Sequence, residues 1–185
     1  MKTQIITILT ALVLALNAHA QTDYVITAMG DSIPCKISTP FLANIKYKGD
    51  AMSEPKKIKP EEIKQYFIAR KNLLERSVLI DSTSKPVFMT VIERGKIKLY
   101  QMIIYFDDSQ TTIWYISKDS DDVIALKTSG LSLSKPRRTR KDILAKMLMD
   151  NKAVYDKYKA DDKFTFKQIR KLVHWYDTGH PLMSH

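Results

Sequence analysis

Residues 87–128 read VFMTVIERGKIKLYQMIIYFDDSQTTIWYISKDSDDVIALKT. Segments 87–92, 97–106, 111–116 and 123–126 are rich in β-branched and aromatic residues. Turn chemistry separates them at Arg94-Gly95, at Asp107-Asp108-Ser109 and from Asp119 to Asp122. Parallel strands would need a helical crossover between each pair, and these joints are too short to hold one. The stretch is therefore antiparallel.

The same pattern extends upstream. Tyr24 to Ala28, a Gly30-Asp31 turn and Ile33 to Ile37 predict a first hairpin, and Phe41, Ala43, Ile45 and Tyr47 alternate with Leu42, Asn44, Lys46 and Lys48 in a third strand. Pro34 lacks an N–H, which places its strand at a sheet edge or a bulge. In Lys59-Pro60-Glu61-Glu62-Ile63, a proline at the first helical position and two acids behind it predict a single helical turn. That turn leads into another strand near Tyr66 to Ala69, and residues 78–80 continue the series.

After Thr139 the period changes. Ile143, Leu144, Met147, Leu148, Val154, Tyr155 and Tyr158 recur at helical spacing, predicting one amphipathic helix from about 139 to 158. A second helix is announced by Thr165 and Gln168 as a capping box, by Phe164 and Ile169 at staple positions, and by Gly179 as its stop. The expected fold class is α+β: an antiparallel meander or roll over residues 21–134, then two C-terminal helices within residues 135–185, in a single domain.

The first twenty residues have a different purpose. Lys2 is a positive n-region, Ile5 to Leu16 an uncharged apolar stretch too short to span a bilayer, and Ala18-His19-Ala20 a small-x-small cleavage site. The reading is a signal peptide cut after Ala20, leaving Gln21 first and no transmembrane segment in the mature chain. Residue 21 is not Cys, so the lipoprotein route has no acceptor. The expected location is the periplasm or the exterior.

Cys35 is the single cysteine, which excludes an intramolecular disulfide. Its alternation with Ile33 and Ile37 reads it as a small core hydrophobe. Charge is uneven: residues 135–185 hold 13 Lys and Arg against 6 Asp and Glu, so an anionic partner meets that end first. Lys135, Arg137, Arg138, Arg140 and Lys141 concentrate five cations in seven residues. They are read either as an anion-binding edge or as a solvated linker, with acids such as Asp119, Asp121 or Asp122 as their partners should they be structural. Cations at a helix N-terminus oppose the macrodipole, which hints at a further use. Nucleic acid is disfavoured because the chain is exported and carries no nucleic-acid motif.

Trp114, Tyr115, Tyr100, Tyr105 and Phe106 are read as core and cross-strand pairs rather than a sugar-stacking platform. Asp119, Asp121 and Asp122 lack the sixth-position glycine and twelfth-position acid of a calcium loop, with Ile124 and Gly130 there instead. His174, His185 and Cys35 have no metal-ligand spacing. No metal or cofactor is expected.

Two resemblances bear on function. Met29-Gly30-Asp31-Ser32-Ile33 and Asp177-Thr178-Gly179-His180-Pro181 resemble the first and last blocks of the GDSL, or SGNH, ester hydrolases. That likeness implies Ser32 as nucleophile, His180 as base and Asp177 as its orienting acid. The chain lacks that family's glycine and G-x-N-D blocks.

The second likeness is longer. Tyr24-Val25-Ile26-Thr27, Gly30-Asp31-Ser32-Ile33 with Lys36-Ile37, the Lys59 to Lys64 turn, and the Gly95-Lys96-Ile97-Lys98-Leu99-Tyr100 arm resemble, in that order, a group of uncharacterised exported proteins of Bacteroidota. Residues 144–150 and 166–176 fall at that group's two C-terminal helices. The chain departs from it at Cys35, Asn151 and Asp177. This resemblance implies a shared fold and an envelope location, and brings no activity or site. The leading expectation is thus a non-enzymatic envelope protein that binds or scaffolds an anionic envelope surface or another envelope protein; the alternative is a Ser32-dependent ester hydrolase.

Overall fold

The computed structural model describes residues 22–40, 44–81, 85–130 and 133–182. The expected signal peptide, Gln21, residues 41–43 of the expected third strand and His185 lie outside the described residues. The α+β architecture is as expected, mostly sheet, with three C-terminal helices in place of two.

Among the described residues eleven strands are arranged in two sheets. They are β1 (Tyr24–Thr27), β2 (Ser32–Pro34), β3 (Lys36–Ser38), β4 (Lys46–Lys48), β5 (Lys56–Lys57), β6 (Ile63–Ile68), β7 (Leu73–Ile80), β8 (Val87–Arg94), β9 (Ile97–Phe106), β10 (Ser109–Lys118) and β11 (Asp122–Thr128). The large sheet runs β11-β10-β9-β8-β7-β6-β1-β2 with antiparallel neighbours, and β3-β4-β5 form the small one. Strand β7 changes partner along its length. Leu73 to Arg76 pair with β6, whereas Leu79 and Ile80 pair parallel to Asp122 and Val123 of β11. That switch closes β7 to β11 into a five-stranded barrel and leaves β6-β1-β2 as a flap on its side.

The hairpin expected at Ile33 to Ile37 is not one strand. The chain leaves the large sheet after Pro34, which sits on the edge strand β2 as its missing N–H requires, and β3 joins the small sheet. Asp23 holds this crossing: its carboxylate accepts from the Ile37 N–H at 3.0 Å and the Ala69 N–H at 2.8 Å. Cys35, half-buried at the joint, packs against the cluster of Val25, Ile37, Tyr47, Ile63 and Tyr66. Burial, then the nearby Asp23 charge, pushes its thiol up to about 11, so the nucleophilic thiolate is scarce at neutral pH. The residues after Pro60 make the expected single helical turn, closed by Ile63 N–H donating to Lys59 O at 2.9 Å, before β6 begins.

Alternation along β9 and β10 sorts side chains to two cores. Val78, Met89, Tyr100, Ile113, Tyr115 and Val123 fill the barrel. Ile97, Leu99, Trp114 and Ile116 face outward and are covered by the helices. These are α1 (Arg137–Leu148), α2 (Lys152–Asp161) and α3 (Phe166–Thr178).

The single helix expected from 139 to 158 is broken at residues 149–151. Asn151 is the reason. Its side chain accepts from the Val154 N–H at 3.3 Å and caps α2, a role asparagine fills better than it continues a helix. Asp150 beside it accepts from Lys118 at 2.7 Å, Lys96 at 3.1 Å and Tyr176 at 2.8 Å, tying the break to β10, the β8–β9 turn and α3. Those donors, Lys118 first, hold its carboxyl well below the usual range.

Thr165 caps α3 by accepting from the Gln168 N–H at 3.2 Å, but Gln168 turns its amide to Asp161 instead of completing the box. Phe164 and Ile169, the staple pair, are both buried in the helix–sheet core. Gly179 ends the helix at φ 76°, a left-handed conformation that suits glycine. Among the described residues no helix is long and apolar enough to cross a membrane.

Candidate anion-binding surface

The five-cation stretch divides by what each side chain touches. Helix α1 begins at Arg137, directly after Pro136, and carries no acid in its first turn. Lys135 precedes it and pairs with Asp81 at 2.8 Å. Arg140 turns toward the sheet: Nε donates to Lys135 O at 3.0 Å and an Nη to Leu126 O at 2.6 Å, with the guanidinium 6.0 Å from the Phe164 ring centroid. These bonds fasten α1 to β11. Burial and then the neighbouring Arg137 charge lower its affinity for its proton.

Structural duty therefore falls to Lys135 and Arg140, and their partners are Asp81 and two carbonyls rather than Asp119, Asp121 or Asp122. Arg140→Ala strands those carbonyls and should cost about 2 kcal/mol, the usual scale for hydrogen bonds to a charged group. Urea unfolding checks it, with Arg138→Gln as the neutral comparison; equal midpoints for the two variants would contradict the assignment.

Arg137, Arg138 and Lys141 point the other way. With Asp142, Tyr158 and Lys159 they line an open groove of about 470 Å³ between α1 and α2. Lys141 is paired with Asp162, and Tyr158 Oη donates to Lys141 O at 3.2 Å. Burial, then Asp162 and Asp142, raise the Tyr158 phenol to about 12, so it stays neutral. Arg137 and Arg138 have no hydrogen-bond or ion-pair partner among the described residues. With two unpaired guanidiniums at a helix N-terminus, where the macrodipole is also positive, the groove holds Arg137, Arg138, Lys141 and Lys159 against Asp142 and Asp162, a net positive charge that favours an external anion.

The hydrolase residues are not brought together. Ser32 is exposed on β2, paired in register with Ile26 at the far edge of the large sheet. Asp177, on α3, lies against β9, five strand positions away in the sheet order. Its Oδ1 accepts from the Ile97 N–H at 3.2 Å, while the His180 N–H donates to Thr178 Oγ1 at 3.2 Å and no hydrogen bond joins His180 to Asp177. Asp177 instead explains the G-x-x-x-L-Y arm. Its carboxyl group fills the space beside Gly95 so fully that a Cβ there would stand 2.0 Å from Asp177 Cγ. Burial raises its affinity for a proton; the Ile97 and Lys96 amides oppose that.

Tyr100, Trp114 and Tyr115 are core residues as read from the sequence, but Tyr105 and Phe106, at the β9–β10 tip, are 73% and 45% exposed. Asp119 to Asp122 form the β10–β11 turn, with Asp121 paired to Arg76 at 2.9 Å. His174 meets Glu93 at 3.3 Å beside Arg170 at 2.6 Å, joining α3 to β8. No group of three or more His, Cys, Asp or Glu among the described residues could hold a metal ion. Compared with protein-family models, curated proteins and solved structures, the chain shows no match.

Proposed function

We propose that this protein is exported to the cell envelope and acts there as a non-enzymatic binding or scaffolding module, holding an anionic envelope surface through the α1–α2 face. The observation that carries the reading is the pair Arg137 and Arg138, unpaired beside Lys141 and Lys159 on one groove. The signal-peptide pattern and the resemblance to exported Bacteroidota proteins support the location. The separation of Ser32 from Asp177 weighs against hydrolysis.

Cosedimentation with phosphatidylglycerol-containing vesicles tests it. Each basic residue near an anionic surface contributes about 1 kcal/mol, so Arg137→Gln/Arg138→Gln should weaken binding about thirtyfold. Added salt should weaken the wild type similarly, because exposed charges are screened over about 8 Å at physiological ionic strength. Both residues are exposed and free of structural bonds, so the melting temperature should not move. Wild-type protein that ignores these vesicles at low salt, or a double variant that binds them equally well, would overturn the reading.

A further inference from the structure

The end of the barrel nearest the β8–β9 turn is built unlike the rest of its interior. Cross-strand register places Gln65 beside Arg76 and Arg94 beside Lys98, with Tyr100 one inward position farther along β9. These five line a cavity of about 130 Å³. Three of them are cations, and the acid that reaches them is Asp121, 2.9 Å from Arg76 and 3.7 Å from Lys98. One carboxylate against three cations leaves the cavity positive. Arg94 has no hydrogen-bond or ion-pair partner among the described residues.

Two buried donors here are also unsatisfied. Arg76 Nε has no hydrogen-bond partner, and the fully buried Tyr100 Oη meets only the equally buried Ser117 Oγ. Leaving a buried polar group unpaired costs about 1–3 kcal/mol, so two on one cavity wall call for an acceptor inside it. Ser117 Oγ, opposite Lys98 in register, faces Tyr100 Oη, and of these two buried hydroxyls one still has a hydrogen to donate. A neutral apolar guest would leave those donors empty and the charge uncompensated. An oxyanion answers both. The cavity is small and opens to solvent, a size that suits one phosphate- or carboxylate-sized group.

We propose that the barrel mouth is a binding site for a small oxyanion, accepting from Arg76 Nε and Tyr100 Oη and held by Arg94 and Lys98. The site is distinct from the groove between α1 and α2 and independent of its role. Titration calorimetry of the whole protein with inorganic phosphate, and separately with acetate at matched ionic strength, tests it; the tighter ligand tells a phosphoryl source from a carboxylate one.

Arg94→Gln, on an exposed side chain that leaves the fold intact, and Lys98→Gln should each weaken binding about tenfold, the scale of one charge-assisted hydrogen bond. Tyr100→Phe, which keeps the ring and removes the donor, should weaken it several-fold while the ligand-free melting temperature stays level or rises. Arg137→Gln/Arg138→Gln should bind phosphate like wild type. Neither anion binding at tens of millimolar would mean that ordered water alone serves the donors, and would overturn the proposal. Affinity that survives in Arg94→Gln and Lys98→Gln, or that vanishes in Arg137→Gln/Arg138→Gln, would do the same.

Discussion

Gly95→Ala should destabilise the protein by about 2–3 kcal/mol, an effect of overpacking and lost hydrogen bonding together. The added Cβ would stand 2.0 Å from Asp177 Cγ and 2.1 Å from Oδ2, so the carboxyl group must leave. Leaving breaks its bond to the Ile97 N–H and detaches the end of α3 from the β8–β9 turn. Backbone strain does not contribute, because Gly95 is not among the positive-φ residues.

The cause can be isolated by a double-mutant cycle. In an Asp177→Ala background the space is empty, and Gly95→Ala should then cost less than about 0.5 kcal/mol, giving a coupling of roughly 2 kcal/mol between the sites. Equal costs in both backgrounds would assign Gly95 to turn geometry instead. The pH dependence has a definite sign. Burial raises the folded-state affinity of Asp177 for its proton, so its stabilising contribution is full below the unfolded pKa and declines as pH rises through the folded one. Asp177→Ala should accordingly cost more at acid pH than at neutral pH.

This pairing shows where a sequence stops being legible. Strands β8 to β11 and their turns follow from alternation and turn residues, which are local. Barrel closure does not, because the parallel contact of Leu79 and Ile80 with Asp122 and Val123 joins segments more than forty positions apart through two residues on each side. The split at Cys35 is hidden for the same reason: Ile33, Cys35 and Ile37 alternate faultlessly, while Asp23 decides that the chain changes sheets there. Asn151 did leave a local sign, an N-cap residue after Asp150 within an otherwise periodic stretch.

The basic stretch reads as one unit in sequence and as two in space. Arg140 reaches back to the Lys135 and Leu126 carbonyls while Arg137 and Arg138 line the α1–α2 groove, so neutralising all three together would mix unfolding with lost binding. The barrel-mouth cations were out of reach altogether. Arg76, Arg94 and Lys98 sit on three strands, and in each strand they look like ordinary solvent-facing residues.

Leu99→Ala should cost about 3 kcal/mol, within the range for emptying a buried leucine site, and lower the melting temperature by roughly 10 °C. Leu99 is fully buried on the outward face of β9, and the cluster covering it includes Leu144 and Leu148, also fully buried. The surrounding wall is held on one side by the barrel and on the other by α1, which Arg140 ties to β11, so the site has little freedom to collapse. Leu99→Met, which keeps the volume, should cost less than about 1.5 kcal/mol. Tyr105→Ala, six residues along the same strand, should change stability by no more than about 0.5 kcal/mol, because its ring is mostly in solvent. Chemical denaturation of the three variants checks the register of β9 as well as the packing. A one-residue slip would move Leu99 into the barrel and turn the Tyr100 hydroxyl into the apolar helix-facing core; Leu99→Ala would stay costly, and Tyr100→Phe would then stabilise the protein by removing a hydroxyl stranded there. A Leu99→Ala midpoint no lower than that of Tyr105→Ala would mean that the helices do not cover β9 at all.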